Sequence, residues 1–189
     1  MYIDFLIKEW WLSIILGDLL ILIDFWLTVI GAKLHNKYVA KYIYYEKGYE
    51  LNPNFEKEIA QNRWISQKLI VNMLFISIYL AFLGFLSERA LPVQTIFEFF
   101  IGGLFISRID VVLLHLQNIW FFTDVKNNGG LVGYLENSYW ISQRRSAARV
   151  FSQTIIFALI ALVIMRPFFW GGVVTCGLMG ILNLKWANR

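Results

Sequence analysis

Long apolar runs alternate with short polar stretches along this chain. Five runs, 10–32, 65–86, 91–116, 150–165 and 168–186, stand against the rule that about 20 apolar residues cross a bilayer core. The expected fold is all-α: a polytopic transmembrane helical bundle of five spans, forming a single integral membrane domain over 1–189. The segments 33–64 and 117–149 would be cytoplasmic, with helical extensions. Only Arg166-Pro167 separates the last two runs. Arginine is costly within the membrane and proline ends helices, so a tight hairpin is expected there. The alternative makes one of these two short runs re-entrant. At the N-terminus only Lys8 precedes the first run, Asp4 and Glu9 oppose it, and no small-residue cleavage pattern follows. The first run therefore reads as a true span, not a cleaved signal.

The polar stretches carry their own patterns. Lys33, Lys37 and Lys41 recur at helical spacing beside Tyr38, Tyr42 and Tyr45. The first span is expected to continue as a helix, with Gly48 as its C-terminal cap. Asn52-Pro53 is a good helix start, so a second helix should begin near Pro53 and run through Arg63 into the second span. The stretch 126–130 is polar and glycine-rich, hence a loop. Beyond it, Leu131, Tyr134, Leu135, Tyr139 and Trp140 are spaced like the apolar face of an interfacial helix. Arg144, Arg145 and Arg149 follow, either as contacts to anionic lipid headgroups or as ordinary anchoring charges.

Composition narrows the class. Hydrophobic residues make up 58% of the 189 and charged residues 16%. Soluble domains run at roughly 45–50% and about 25%. With mean hydropathy of +0.57, disorder is excluded and an ordinary soluble domain is disfavoured. The single cysteine, Cys176, excludes an intrachain disulfide and a Cys-rich metal site. The net charge of +4 lies between apolar runs, not on a soluble face, so nucleic acid is not an expected partner. Thirteen Lys and Arg fall in 33–68, 126–149 and the tail, against three (Lys8, Arg89, Arg166) on the other side. That bias puts the N-terminus outside and the C-terminus in the cytoplasm of a cell (plasma or inner) membrane. Trp10, Trp11, Trp64, Trp120, Trp170 and Trp186 fall near span ends, where indoles prefer to sit.

Ionisable groups inside spans are the informative exceptions, because charge in hydrocarbon is expensive. Asp18 and Asp24 lie in the first run, and Glu98, Arg108 and Asp110 in the third. Asn72 and Asn183 add amides in the second and fifth. At a helical rise of about 1.5 Å per residue, Asp24 and Arg108 both lie roughly 21–25 Å from the outer ends of their spans. Asn72 and Asn183 fall at a similar level. Asp24, Thr28, Asn72, Arg108, Asp110 and Asn183 are thus expected to form one polar layer, with Asp24 and Arg108 as an ion pair. On the third span Arg108, Val112 and His115 share one face, while Gly103, Asp110 and Gln117 share nearly the opposite one. A helix polar on two faces belongs at the bundle centre. Asp18 and Glu98 lie nearer the outer side, lining an entrance or reaching water. His35 and His115 lie near the cytoplasmic end; without ligand spacing they call for no haem or metal. No cofactor is implied. Cys176 reads as a packing residue. The common hydrolase, P-loop, zinc-protease and Cys-x-x-Cys signatures are absent, as is any internal repeat.

Asp24, Thr28 and Gly31, followed by Glu50-Leu51-Asn52-Pro53, form the pattern Asp-x-x-x-Thr, a nearby Gly, then Glu-x-Asn-Pro. It resembles a family of small uncharacterised prokaryotic membrane proteins, a domain of unknown function. The resemblance covers about residues 24–53, and here the Lys33–Gly48 segment lengthens the gap. It implies no activity. It implies that Asp24, Thr28, Glu50 and Asn52 belong together. By position along the chain, His35, Glu50, Asn52 and His115 form a second, candidate site on the cytoplasmic side.

The reading these features favour is a non-catalytic membrane subunit or an interaction or assembly component. Its partners would be membrane lipids, other membrane subunits or a second copy of itself. One alternative is a small ion- or proton-linked transporter or channel using the polar layer. The other is an enzyme acting on a lipid or isoprenoid at the cytoplasmic interface. A closed layer, a polar cavity and a lateral opening would favour these three in turn.

Overall fold

The structure is a computed structural model and describes residues 2–46 and 52–188. It is 81% helical, with seven helices among the described residues. A short helix α1 (Tyr2–Lys8) leads into α2 (Trp10–Leu34). Then come the five-residue α3 (Glu56–Ala60), α4 (Gln67–Ser87), α5 (Leu91–Asn128), α6 (Tyr139–Ile164) and α7 (Pro167–Ala187). Five of these are long and apolar enough to cross a membrane, as a multi-pass membrane protein requires.

The helices reach well beyond the apolar runs that signal them. Nothing between Leu104 and Asn128 breaks a helix, so α5 runs 38 residues, about 57 Å. It stops at Gly129, whose φ of 70° suits glycine. Charge alone does not break a helix either, and α6 starts at Tyr139, so Arg144, Arg145 and Arg149 all lie within it. The segment 117–149 is therefore mostly helix. The hairpin forms where Arg166-Pro167 predicts it. Met165 takes a left-handed conformation (φ 54°), Arg166 is extended and Pro167 opens α7.

Three local expectations do not hold. The helix from the first run ends in a π-helical turn, His35–Val39, and the chain then forms a strand β1 (Ile43–Tyr45). The partner of β1 is β2 (Leu135–Asn137), parallel, with Ile43 opposite Leu135 and Tyr45 opposite Asn137. Residues 131–138 are thus not an interfacial helix, and the fold is not purely α. The β-favouring run Ile43-Tyr44-Tyr45 prevails over the lysine spacing. The ribbon joins the end of α2 to the start of α6, where the Glu46 carboxylate accepts a 2.8 Å hydrogen bond from the Tyr139 amide. An anion suits a helix N-terminus. Gly48 lies outside the described residues.

The third difference lies between β1 and α4. Asn52 forms a turn, accepting from the Asn54 amide at 3.0 Å, and the helix is only α3. The chain leaves it through Asn62 (φ 53°) and stays irregular to Ser66, the N-cap of α4. The Ser66 hydroxyl accepts from the Leu69 amide at 3.4 Å. Ser66→Ala should lower stability by about 1 kcal/mol in a thermal melt in detergent.

Helix α5 is central, packing against α7, α2 and α4, while α6 packs on α7. Near the α1 end of the bundle, Arg166 Nε is 2.7 Å from Glu98 and its Nη1 is 2.8 Å from Asp4. Glu98 is buried here instead of lining an entrance. The hydrogen bonds Arg166 donates to Glu98, and then to Asp4, push its pKa above the ordinary value. Asp18 accepts from the Ser77 hydroxyl at 2.7 and 2.9 Å, tying α2 to α4.

Candidate functional site

Helix α5 carries charge on two faces because Arg108 and His115 are two turns apart, whereas Asp110 projects about 200° away from Arg108. The first face meets α2. Arg108 Nη1 lies 2.7 Å from Asp24 Oδ2, and His115 Nε2 lies 3.2 Å from Asp24 Oδ1 and 3.0 Å from Thr28 Oγ1. Thr28 spends its single proton on the Asp24 carbonyl oxygen, at 2.9 Å. His115 Nε2 thus stands within reach of both the Asp24 carboxylate and the Thr28 hydroxyl oxygen. Asp24 and Thr28 are both buried.

The second face meets α6. Arg149 Nη2 donates to Asp110 Oδ2 at 2.9 Å and to the Asp110 carbonyl oxygen at 3.0 Å. One turn from Arg149, Ser146 Oγ accepts from Asn183 Nδ2 at 3.0 Å, which brings in α7. Arg144 and Arg145 remain exposed, Arg144 over the Trp140 ring at 5.1 Å. Of the three arginines expected to meet lipid headgroups, Arg149 instead turns into the bundle.

Between the two charged groups lies a chamber of about 520 Å³. Asp24, Thr28, Asn72, Arg108, Asp110 and Asn183 all line it, and so do Asn52 and His115. Apolar groups such as Phe25, Met73, Ile76, Val150 and Met179 complete the wall. At its rim Asn72 and Phe75 of α4 and Leu182 of α7 are exposed. Asn54, in the polar loop before α3, is exposed in the lining as well, so the chamber reaches the surface both on the apolar flank between α4 and α7 and at its loop end. Its size is within the range of small-molecule sites, about 300–1,000 Å³.

One expected site residue lies elsewhere. His35 Nε2 bonds the Ile43 carbonyl oxygen at 2.9 Å, and its ring lies tilted against Tyr45 and Phe122, so it fastens the ribbon. Glu50 lies outside the described residues. Sequence reasoning missed Ser146, Asn54 and the inward turn of Arg149. The signal for Arg149 was present: Asp110 needed a cation on the face away from Arg108. Among the described residues no group of three or more His, Cys, Asp or Glu could hold a metal ion. Cys176 is buried against Ile106 and Val150 and packs as a small apolar residue.

No protein family, curated protein or solved structure matches this chain.

Proposed function

We propose that this chain is a non-catalytic, multi-pass component of the cell membrane that binds an amphipathic ligand entering sideways from the bilayer. The observation that carries this reading is the chamber itself. It combines a polar end, built from two Arg–Asp pairs and several amides, with an apolar wall and an opening between α4 and α7. A layer serving only to fix helix register would have no reason to enclose such a space. The charge bias of the loops supports a cytoplasmic placement of the chamber's polar end, with the C-terminus inside. The resemblance over 24–53 supports grouping Asp24, Thr28 and Asn52, which share this chamber. The sideways opening is the feature expected of the enzyme reading, and Asp24 and Asp110 both line the chamber; each carboxylate is tied to an arginine, which favours binding over acid–base chemistry. Transport linked to a proton remains the second reading, favoured by the Asp24 carboxylate that Arg108 and His115 share.

The test is bound amphiphile in the purified full-length protein. Solvent extraction and mass spectrometry should recover about one amphiphile per chain, because a site enclosed by five helices holds its ligand through mild detergent. Filling the chamber by Met179→Trp should remove it. At ligand concentrations about 100-fold above Kd, re-addition should stabilise wild type by about 2.7 kcal/mol in a thermal melt and leave the variant unmoved. Empty protein that no membrane lipid stabilises would refute the reading.

A further inference from the structure

Both ion pairs in the chamber are lopsided in the same sense. The Arg108 side chain is 33% exposed and Asp24, behind it, 12%. The Arg149 side chain is 31% exposed and Asp110, behind it, 13%. In both pairs the arginine side chain is the more exposed partner, although Arg108 Nε is buried and its Nη1 is held by Asp24. The carboxylates offset the cost of burying each cation and hold each planar fork in place. What the chamber offers an incoming ligand is therefore two oriented guanidinium groups, together with the side-chain amides of Asn72 and Asn183.

Resting on the amphiphile-binding reading above, we infer that the chamber's ligand is a membrane lipid with a monoester phosphate headgroup, for which Arg108 and Arg149, both lining the chamber, are the counter-charges. A monoester phosphate carries three free oxygens and up to two charges, enough to take hydrogen bonds from both arginines, whereas a carboxylate has two oxygens and one charge. The acyl chains leave through the opening between α4 and α7, past Phe75 and Leu182, which already face outward. The headgroup alone occupies the enclosed volume.

The test titrates the delipidated full-length protein in native mass spectrometry with dioleoylphosphatidate, dioleoylglycerol, oleate and inorganic phosphate. The phospholipid should bind once per chain and about tenfold more tightly than dioleoylglycerol, which has the same chains and no phosphate; tenfold is the effect of one charge-assisted hydrogen bond. Oleate should bind more weakly than the phospholipid, and excess inorganic phosphate should not displace it. In Asp110→Asn/Arg149→Gln, which keeps the interior neutral, the preference should vanish. In Arg149→Lys, which keeps the charge and loses the fork, it should fall partway. Equal binding of dioleoylglycerol or oleate, or a preference unchanged in both variants, overturns the phosphate assignment and leaves the amphiphile reading standing. Displacement by inorganic phosphate makes the ligand a free anion and overturns the lipid source. Binding of none of the lipids defeats both readings together.

Discussion

Arg108→Ala will destabilise the bundle by about 3–5 kcal/mol, the loss expected when one partner of an enclosed ion pair is removed. The reason is what stays behind. Asp24 is buried, and its two oxygens are divided between Arg108 at 2.7 Å and His115 at 3.2 Å. Without the guanidinium, the carboxylate faces a chamber walled mainly by apolar groups, with the His115 ring beside it. Asp24→Asn is the mirror case, leaving Arg108 charged without its counter-ion. The double variant Asp24→Asn/Arg108→Gln keeps two side chains able to hydrogen-bond and leaves no charge, so it should recover most of the loss. The measurement is chemical or thermal unfolding in detergent over the full double-mutant cycle, with an interaction energy of at least about 1.5 kcal/mol expected for groups in direct contact. Simple additivity would mean that the two residues do not act as a pair.

How much of this was written in the sequence depends on the range of the forces involved. The helices α2, α4 and α5, and the hairpin of α6 and α7, follow from apolar length and from Arg166-Pro167, which are local signals. The meeting of Asp24 with Arg108 follows from depth alone: two opposite charges at the same level of adjacent spans have a strong reason to approach. Asn72 and Asn183 reach the same chamber by the same argument. The ribbon was not legible. Tyr42, Ile43 and Tyr45 fit a helix with Lys37 and Lys41 as well as they fit a strand. The choice is made by Leu135–Asn137, far along the chain, which no local pattern announces. The bounds of α6 were missed because hydropathy marks where a helix becomes apolar, not where it begins. Reading Arg149 as a loop charge followed from that, and so did overlooking its pairing with Asp110.

The second large effect comes from backbone contact between α5 and α7. Gly171→Ala should lower stability by about 3 kcal/mol, at the upper end of what an overpacked methyl group costs. A Cβ on Gly171 would run into the Phe99 carbonyl oxygen, and a Cβ on Gly102 into that of Phe168. The two glycines form a reciprocal seam in which each helix presses its backbone against the other, as small residues permit in membrane bundles. A carbonyl inside a helix cannot rotate away, so relief requires moving α7 as a body, and with it Asn183 and the wall of the chamber. Side-chain obstacles are softer. The Phe151 ring lies 2.7 Å from where a Cβ on Gly180 would sit, and it can turn, so Gly180→Ala should cost less than Gly171→Ala. Gly177 supplies the control. Its nearest neighbour would be a methyl of Thr154 at 3.8 Å, an ordinary contact. Gly177→Ala should therefore gain up to about 1 kcal/mol from helix propensity. Melting temperatures in one detergent should rank Gly177→Ala above wild type, then Gly180→Ala, then Gly171→Ala. A Gly171→Ala variant as stable as Gly177→Ala would mean that α5 and α7 do not meet along this seam, and the chamber wall they share would have to be drawn elsewhere.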